Sequence, residues 1–230
     1  MRISAVCAAA AMMAAGSAMA QPYVVRGEFN GWGAGGDIPM VENPGGSGRW
    51  TGLVTGLTPG QLYEFKATTP DWSFNAPGSN ARTAANSFGE LVVHFFPNTS
   101  WSDGWMPNNI QRLGYDDPGQ FGWDLMGSVN GWSSPFGALS LLGGVHTVQV
   151  AMPAGTHQFK FRKAGDWAVS IGGDFGNSAG NASVTTSGVN PVQFDLDLAN
   201  GRWRAFEVPA PGALALLGLG ALAAARRRRA

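Results

Sequence analysis

Gly155-Thr156-His157-Gln158-Phe159-Lys160-Phe161-Arg162-Lys163-Ala164-Gly165-Asp166-Trp167-Ala168-Val169-Ser170-Ile171-Gly172-Gly173-Asp174 is the stretch that decides the fold. Its first half alternates. Gln158, Lys160 and Arg162 fall on one face of a strand, and His157, Phe159 and Phe161 on the other. Ala164-Gly165-Asp166 is a turn signal, and Trp167 opens a second apolar run to Ile171. The whole reads as a β-hairpin with long polar side chains on one face and a Trp across the turn. About 95 residues earlier the chain repeats the pattern as Gly60-Gln61-Leu62-Tyr63-Glu64-Phe65-Lys66, then Pro70-Asp71-Trp72. Each copy has an upstream companion: Gly27-Glu28-Phe29-Asn30-Gly31-Trp32 for the first, Gly127-Ser128-Val129-Asn130-Gly131-Trp132 for the second.

A chain of 230 residues suits one or two domains. The recurrence favours two modules of β-sandwich size. With 34 Gly, nine Trp and only 13% charged residues, and no long helical pattern in the middle, the composition favours short strands joined by Gly, Pro and Asn turns. The formal net charge of zero hides an asymmetry. Setting aside Arg2 and Arg226 to Arg229 leaves ten basic residues against 15 acidic ones, a charge of −5 on the middle of the chain. That balance gives no reason to expect nucleic acid as a partner. Cys7, the only cysteine, lies in the N-terminal leader, so the mature chain is expected to have no disulfide, thiol nucleophile or thiolate metal site.

Residues 1–20 carry an early Arg, an apolar Ala- and Met-rich run, and Ala18-Met19-Ala20 before Gln21. This pattern predicts a secretory signal peptide. At the other end, Val208-Pro209-Ala210-Pro211 precedes an apolar stretch from Gly212 to Ala225 and then Arg226, Arg227, Arg228 and Arg229. The apolar stretch is short of the roughly 20 residues that span a bilayer. The arginines would hold its end on the cytoplasmic side. A transient membrane stop read by a processing enzyme fits this layout. Residues 208–230 resemble the PEP-CTERM sorting signal of exopolysaccharide-producing Gram-negative bacteria, a Val-Pro-Glu-Pro motif with an apolar helix and terminal arginines, recognised by an exosortase. Val208, Pro209 and Pro211 match, and Ala210 stands where the motif has Glu. The resemblance implies export to the cell surface or matrix, with transient inner-membrane contact through the tail.

Residues 22–108 read as the first module, 109–120 as a linker and 121–207 as the second. In the first, strands are expected at Tyr23 to Gly27, Arg49 to Val54, Leu62 to Ala67, Trp72 to Phe74 and Leu91 to Phe96, with loops at 33–48 and 75–86. The Asn-Gly of the Asn30-Gly31-Trp32 turn is expected to supply its positive-φ positions. In the second, strands are expected from Phe121 to Gly127, Val145 to Met152, Ala182 to Thr186, Val192 to Leu198 and Arg202 to Phe206, the last two joined by an Asn200-Gly201 turn.

Each module thus holds an Asn-Gly-Trp turn, a strand with Phe and Lys, and an Asp-Trp past the next turn. Aromatic faces accept the polarised C–H groups of a sugar ring, while Lys, Asn and acidic side chains hydrogen-bond its hydroxyl rim. The competing reading places every repeated Trp in a sandwich core. At these residues the sequence resembles the glycogen-binding module of the AMP-activated kinase β-subunit and of branching and debranching enzymes. The second module is also similar to the tandem starch-binding domains of outer-membrane starch-utilisation lipoproteins, through Phe161-Arg162 to Trp167, Gly172-Gly173-Asp174 and Gly180-Asn181. The resemblance implies all-β architecture in two tandem immunoglobulin-like sandwiches, which the terminal segments place between a signal helix and a short apolar helix. It implies α-glucan or exopolysaccharide contacts at Trp32, Lys66 and Trp72 in the first module. In the second it implies them at Trp132, Lys160, Trp167 and Asn181, with Asn80 a looser match to Asn181.

Catalysis is not expected. His94, His146 and His157 sit in strand-like runs without metal-ligand spacing. No Gly-x-Ser-x-Gly or His-Glu-x-x-His occurs. Asp166 and Asp174 sit in Gly-flanked turns and make a poor glycosidase pair. No cofactor or metal is expected, although Asp174 beside Gly172-Gly173 has the oxygen chemistry of a weak Ca²⁺ ligand. The sequence therefore reads as an exported polysaccharide-binding protein, with a structural surface or biofilm protein as the alternative.

Overall fold

The computed structural model of the chain describes residues 22–177 and 179–209. The expected signal helix, and Pro211 and the four arginines of the tail, lie outside the described residues. Nearly all regular structure is β, as the alternation of apolar and polar residues requires. The first half contributes β1 (Val24–Gly27), β2 (Ile38–Pro39), β3 (Val41–Glu42), β4 (Trp50–Val54), β5 (Leu62–Thr68), β6 (Asn75–Ala84), β7 (Leu91–Phe96) and β8 (Arg112–Tyr115). They form two four-stranded antiparallel sheets, ordered β2-β1-β5-β6 and β3-β4-β7-β8. The second half contributes β9 (Trp123–Gly127), β10 (Gly137–Leu142), β11 (Val145–Val150), β12 (Gly155–Lys163), β13 (Ser170–Ile171), β14 (Ala182–Thr186), β15 (Val192–Asp197) and β16 (Arg202–Glu207). Their order is β13-β12-β9-β10-β11-β15-β16, with β14 beside β12.

The pairings of the second half follow those of the first. The start of β10 pairs with β9 and its end with β11, so one strand passes between layers. In the first half β2 pairs with β1 and β3 with β4, and the fully buried Met40 separates them. β5 meets β6 at Ala67↔Ala76 and, past a bulge, at Phe65↔Ala81. β12 meets β13 at Phe161↔Ile171 and β14 at Phe159↔Ala182. What is one bulged strand in the first half is two strands joined by residues 172–181 in the second.

Several expectations change. Asn75 to Ala84, read as part of a loop, is the longest strand among the described residues. Its turn-forming residues hid Ala76, Ala81 and Ala84, whose small side chains pack inward. Residues 72–73, read as the start of a strand, form a turn. The span read as a linker contains β8, which pairs with β7 and is buried throughout. β10 was not anticipated. In the Asn-Gly-Trp turns the positive φ falls on Gly and Trp: Gly31 56°, Trp32 58°, Gly131 66° and Trp132 65°.

The opening stretch packs as its alternation dictates. Phe159 and Phe161 are fully buried, Gln158 is exposed and Lys160 half-buried. Phe159 sits edge-on to Phe161, Phe194 and Trp203, at centroid separations of 5.5, 5.0 and 5.3 Å. The apolar core runs on into the first half, with Phe65 against Tyr115 at 5.8 Å and Tyr115 against Phe175 at 6.3 Å. The backbones also meet. Tyr115 N–H donates to Leu198 O at 2.9 Å, and Met106 and Trp203 exchange two hydrogen bonds. Gly114 sits so close that a Cβ there would lie 2.4 Å from Ala199 O.

Candidate functional site

Trp72 and Trp167 follow β5 and β12 in turns braced by the preceding aspartates. Asp71 Oδ1 accepts from Ser73 N–H at 3.0 Å, and Asp166 Oδ1 from Ala168 N–H at 2.8 Å. Hydrogen bonds from Thr69 and Ser73 hold the Asp71 carboxyl down at about 2. The two rings are surface residues, 41% and 47% exposed, which removes them from the core reading.

A paired guanidinium lies under each ring. Arg26 Cζ is 4.9 Å from the Trp72 centroid, and Arg162 Cζ is 5.1 Å from that of Trp167. Arg26 donates to Asp37 at 2.5 and 2.8 Å and to Pro70 O at 2.7 Å. Arg162 donates to Asp124 at 2.9 and 2.7 Å. These bidentate bonds fix each guanidinium plane and raise both arginine pKa values. The two guanidiniums come from different strands, β1 and β12, yet reach the same place beneath the ring. Gly33, at φ 105°, makes room, since a Cβ there would lie 2.6 Å from Arg26 Nε.

Trp32 and Trp132 end the upstream turns, both half-buried in the left-handed region. Holding a non-glycine residue there costs on the order of 1–3 kcal/mol. Trp132 lies against Trp167 with centroids 6.2 Å apart and planes at 44°. Among the described residues no such ring contact joins Trp32 and Trp72. The second half therefore presents two adjoining rings and the first half one.

The strand lysines differ. All three donors of Lys66 are used, on Asn75 Oδ1, Pro77 O and Gly78 O at 2.9, 2.8 and 2.7 Å. Lys160 Nζ makes no hydrogen bond among the described residues. Burial lowers the pKa of both, and the Asp174 carboxylate opposes that in both. Asn181 donates to Gln158 Oε1 at 2.9 Å and faces a cavity of about 470 Å³ with Asp103, Met106, Trp203 and Phe206. Neither Trp132 nor Trp167 lines that cavity. Asn80 is likewise engaged, donating to Glu64 at 2.7 Å.

Trp101 and Trp105, outside the repeated motifs, also stack on guanidinium groups. Trp101 lies 4.1 Å from Arg112 Cζ, and Trp105 lies 4.4 Å from both Arg202 and Arg204. Asp103 between them accepts both guanidinium arms of Arg112 at 2.7 and 3.0 Å, and Arg202 at 3.1 Å. The alternation Arg202-x-Arg204 on one strand face, which meets Trp105, is the signal the sequence offers. These contacts tie the 101–106 segment to both halves. Arg112 holds the Asp103 carboxyl well below the usual carboxylate range. A depressed folded pKa gives stabilisation that is complete above the unfolded value of about 3.9 and fades as pH falls below it. Asp103→Asn is therefore expected to flatten the acid limb of a plot of Tm against pH below about pH 4. An unchanged limb would show that the pair contributes nothing to acid stability.

His94 bonds Asp116 at 2.8 Å, His146 bonds Asp117 at 2.7 Å, and His157 bonds Pro153 O at 2.9 Å. Among the described residues no group of three or more His, Cys, Asp or Glu is placed to hold a metal ion. Asp174 receives Ser79 N–H and Oγ–H, each at 3.2 Å, and Gly176 N–H at 2.9 Å. Its oxygens thus face donors, which suits a loop brace better than a Ca²⁺ site.

The PEP-CTERM protein-sorting motif matches residues 207–229. It begins at Glu207, the last residue of β16. Such a motif marks an exported protein sorted at the envelope by an exosortase, which reads the C-terminus. No curated protein and no solved structure matches the chain.

Proposed function

We propose that this exosortase-sorted protein binds polysaccharide at the cell surface or in the extracellular matrix, without catalysis, through platforms centred on Trp72 and Trp167. One observation carries the reading: each half presents an exposed Trp ring laid on a buried, bidentately paired arginine. A ring packed only for stability gains most from burial. These two rings are held in fixed orientation yet left roughly half open, as a stacking surface for sugar C–H groups requires. Sorting systems of this kind go with exopolysaccharide production, so the cell's own matrix or an α-glucan is the polymer of choice. The matching pairing schemes of the two halves support an internal repeat of glycan-binding modules. Trp132 adjoins the second platform, and Trp32 ends the corresponding turn of the first half. Lys160 offers free donors to a hydroxyl rim, whereas Lys66 has a bracing role.

Affinity gels of amylopectin, glycogen and the native matrix polysaccharide test this. The body comprising residues 22–209 is expected to be retarded, with Trp72→Ala and Trp167→Ala each weakening retardation and the double variant abolishing it. Stacking losses of roughly 1–3 kcal/mol per ring correspond to between about fivefold and 150-fold in affinity, judged from the analogous stacking of nucleobases on aromatic side chains. Trp167→Ala should cost more, because Trp132 loses its neighbour as well. Unretarded, folded protein in every gel would leave a structural surface role, in which the platforms serve packing against other proteins.

A further inference from the structure

The two platforms are joined across the seam between the halves. Register places Arg26 directly opposite Lys66 on β1 and β5, so the cation beneath Trp72 and this lysine share one sheet face. Lys160 and Arg162, two residues apart on β12, likewise share the face beneath Trp167. Asp174 stands between. Lys66 Nζ bonds Gly78 O at 2.7 Å, and Asp174 Oδ2 bonds the next residue, Ser79, at 3.2 Å. Lys66 and Lys160 are both drawn by the Asp174 carboxylate.

Register also shows which segments meet. Residues 77–80 lie between the two paired stretches of β6, where the second half has residues 172–181. Those equivalent segments bond each other, through Asp174 with Ser79 and through Asn177 N–H to Asn80 O at 2.7 Å. Contact between like segments is the mark of a self-complementary, twofold-type interface. A cavity of about 370 Å³ opens beside it, lined by Asn75 to Gly78, Ile110, Gln111 and Asp174.

We propose that the two Trp platforms and the Asp174 seam form one composite surface that seats a single chain of a neutral polysaccharide, with Lys160 as the central hydrogen-bonding group and Asp174 as the brace that holds the seam beneath it. This rests on the glycan-binding reading above and extends it from two independent modules to one site. Neutrality follows from the charges. Asp37 matches Arg26, Asp124 matches Arg162, Lys66 has spent its donors on the protein, and the Asp174 carboxylate acts on Lys160. With the body at −5, a polyanion meets no cationic excess, whereas hydroxyl groups meet both donors and acceptors. The seam fixes the relative placement of the platforms, so a chain bound at one needs no linker ordering to reach the other.

The test is calorimetric titration of residues 22–209 with neutral linear oligosaccharides of increasing length: maltotriose, maltoheptaose and short amylose, with the matching β-1,4-glucan series beside them. A composite site predicts one long chain per protein and affinity rising by roughly 10²-fold or more once both platforms are spanned. Trp72→Ala or Trp167→Ala alone should return long-chain affinity to that of the trisaccharide. Asp174→Asn should weaken long chains and spare short ones. Lys160→Gln, which leaves the seam intact, should do the same. Two short-chain equivalents per protein with no dependence on length would overturn the composite site and leave the glycan-binding reading standing. Folded protein that binds no member of either series nor the native matrix polymer would overturn both.

Discussion

Phe159→Ala is expected to lower the free energy of unfolding by about 3–5 kcal/mol. The ring has no exposed surface, and three aromatic neighbours stand edge-on to it from β12, β15 and β16. Those neighbours belong to both sheet layers of the second half, so neither can close the void without shifting a strand. Trp203 is further restrained, because its indole N–H donates to Gly172 O at 3.1 Å. Poor collapse places the cost near the top of the range for such truncations. Domains of this size have only about 5–15 kcal/mol in hand, so the variant should sit near its unfolding midpoint in mild denaturant. Urea titration followed by Trp fluorescence checks this, with Phe206→Ala as comparator. Phe206 is 40% exposed on the same half and should lose less than about 1 kcal/mol. Because the apolar cluster crosses from Phe65 through Tyr115 to Phe175, both halves should unfold in one transition. Two separate transitions, the first alone shifted by Phe159→Ala, would show that the seam does not couple them.

That ring was legible in the sequence because a strand with one buried face writes a period of two into its residues. Other features left no such trace. β6 is rich in Ala, Gly, Ser and Asn, and its inward alanines sit beside a bulged partner strand, so hydrophobicity is silent there. β8 is buried through its edges, against β7 on one side and Leu198 on the other, and edge burial has no periodicity. The platforms were half legible. Repetition located Trp72 and Trp167, but not the arginines under them. Arg26 and Arg162 find their acids 11 and 38 residues away, and the second half takes its cation from a different strand than the first. An alignment of the two halves position by position therefore misses a shared physical device. The seam is hidden for the same reason. Asp174 reads as one more turn residue until Ser79, 95 residues earlier, is brought beside it.

Asp124→Ala should destabilise the protein by about 3–5 kcal/mol and weaken the second platform at the same time. The side chains of Asp124 and Arg162 are only 6% and 9% exposed. Removing the carboxylate strands a buried guanidinium and also deprives Gly165 N–H of its acceptor at 3.2 Å, in the turn that carries Trp167. The neighbouring pair of Lys163 and Asp166, with side chains 27% and 46% exposed, is screened by solvent and contributes far less, so Asp166→Ala should act mainly through the lost Ala168 N–H bond of the turn and cost less than Asp124→Ala. The informative variant replaces both partners, Asp124→Leu with Arg162→Met. Apolar substitution of a buried pair is often neutral or stabilising, so this protein should fold. It lacks the cation beneath Trp167, whose attraction to the ring is worth about 0.5–2 kcal/mol and keeps the indole flat on the surface. Loss of glycan retardation in a variant of undiminished stability would assign the pair to holding the platform. Full retardation would assign it to the sandwich alone, and the guanidinium under Trp72 would then have to be tested by the same exchange at Arg26 and Asp37.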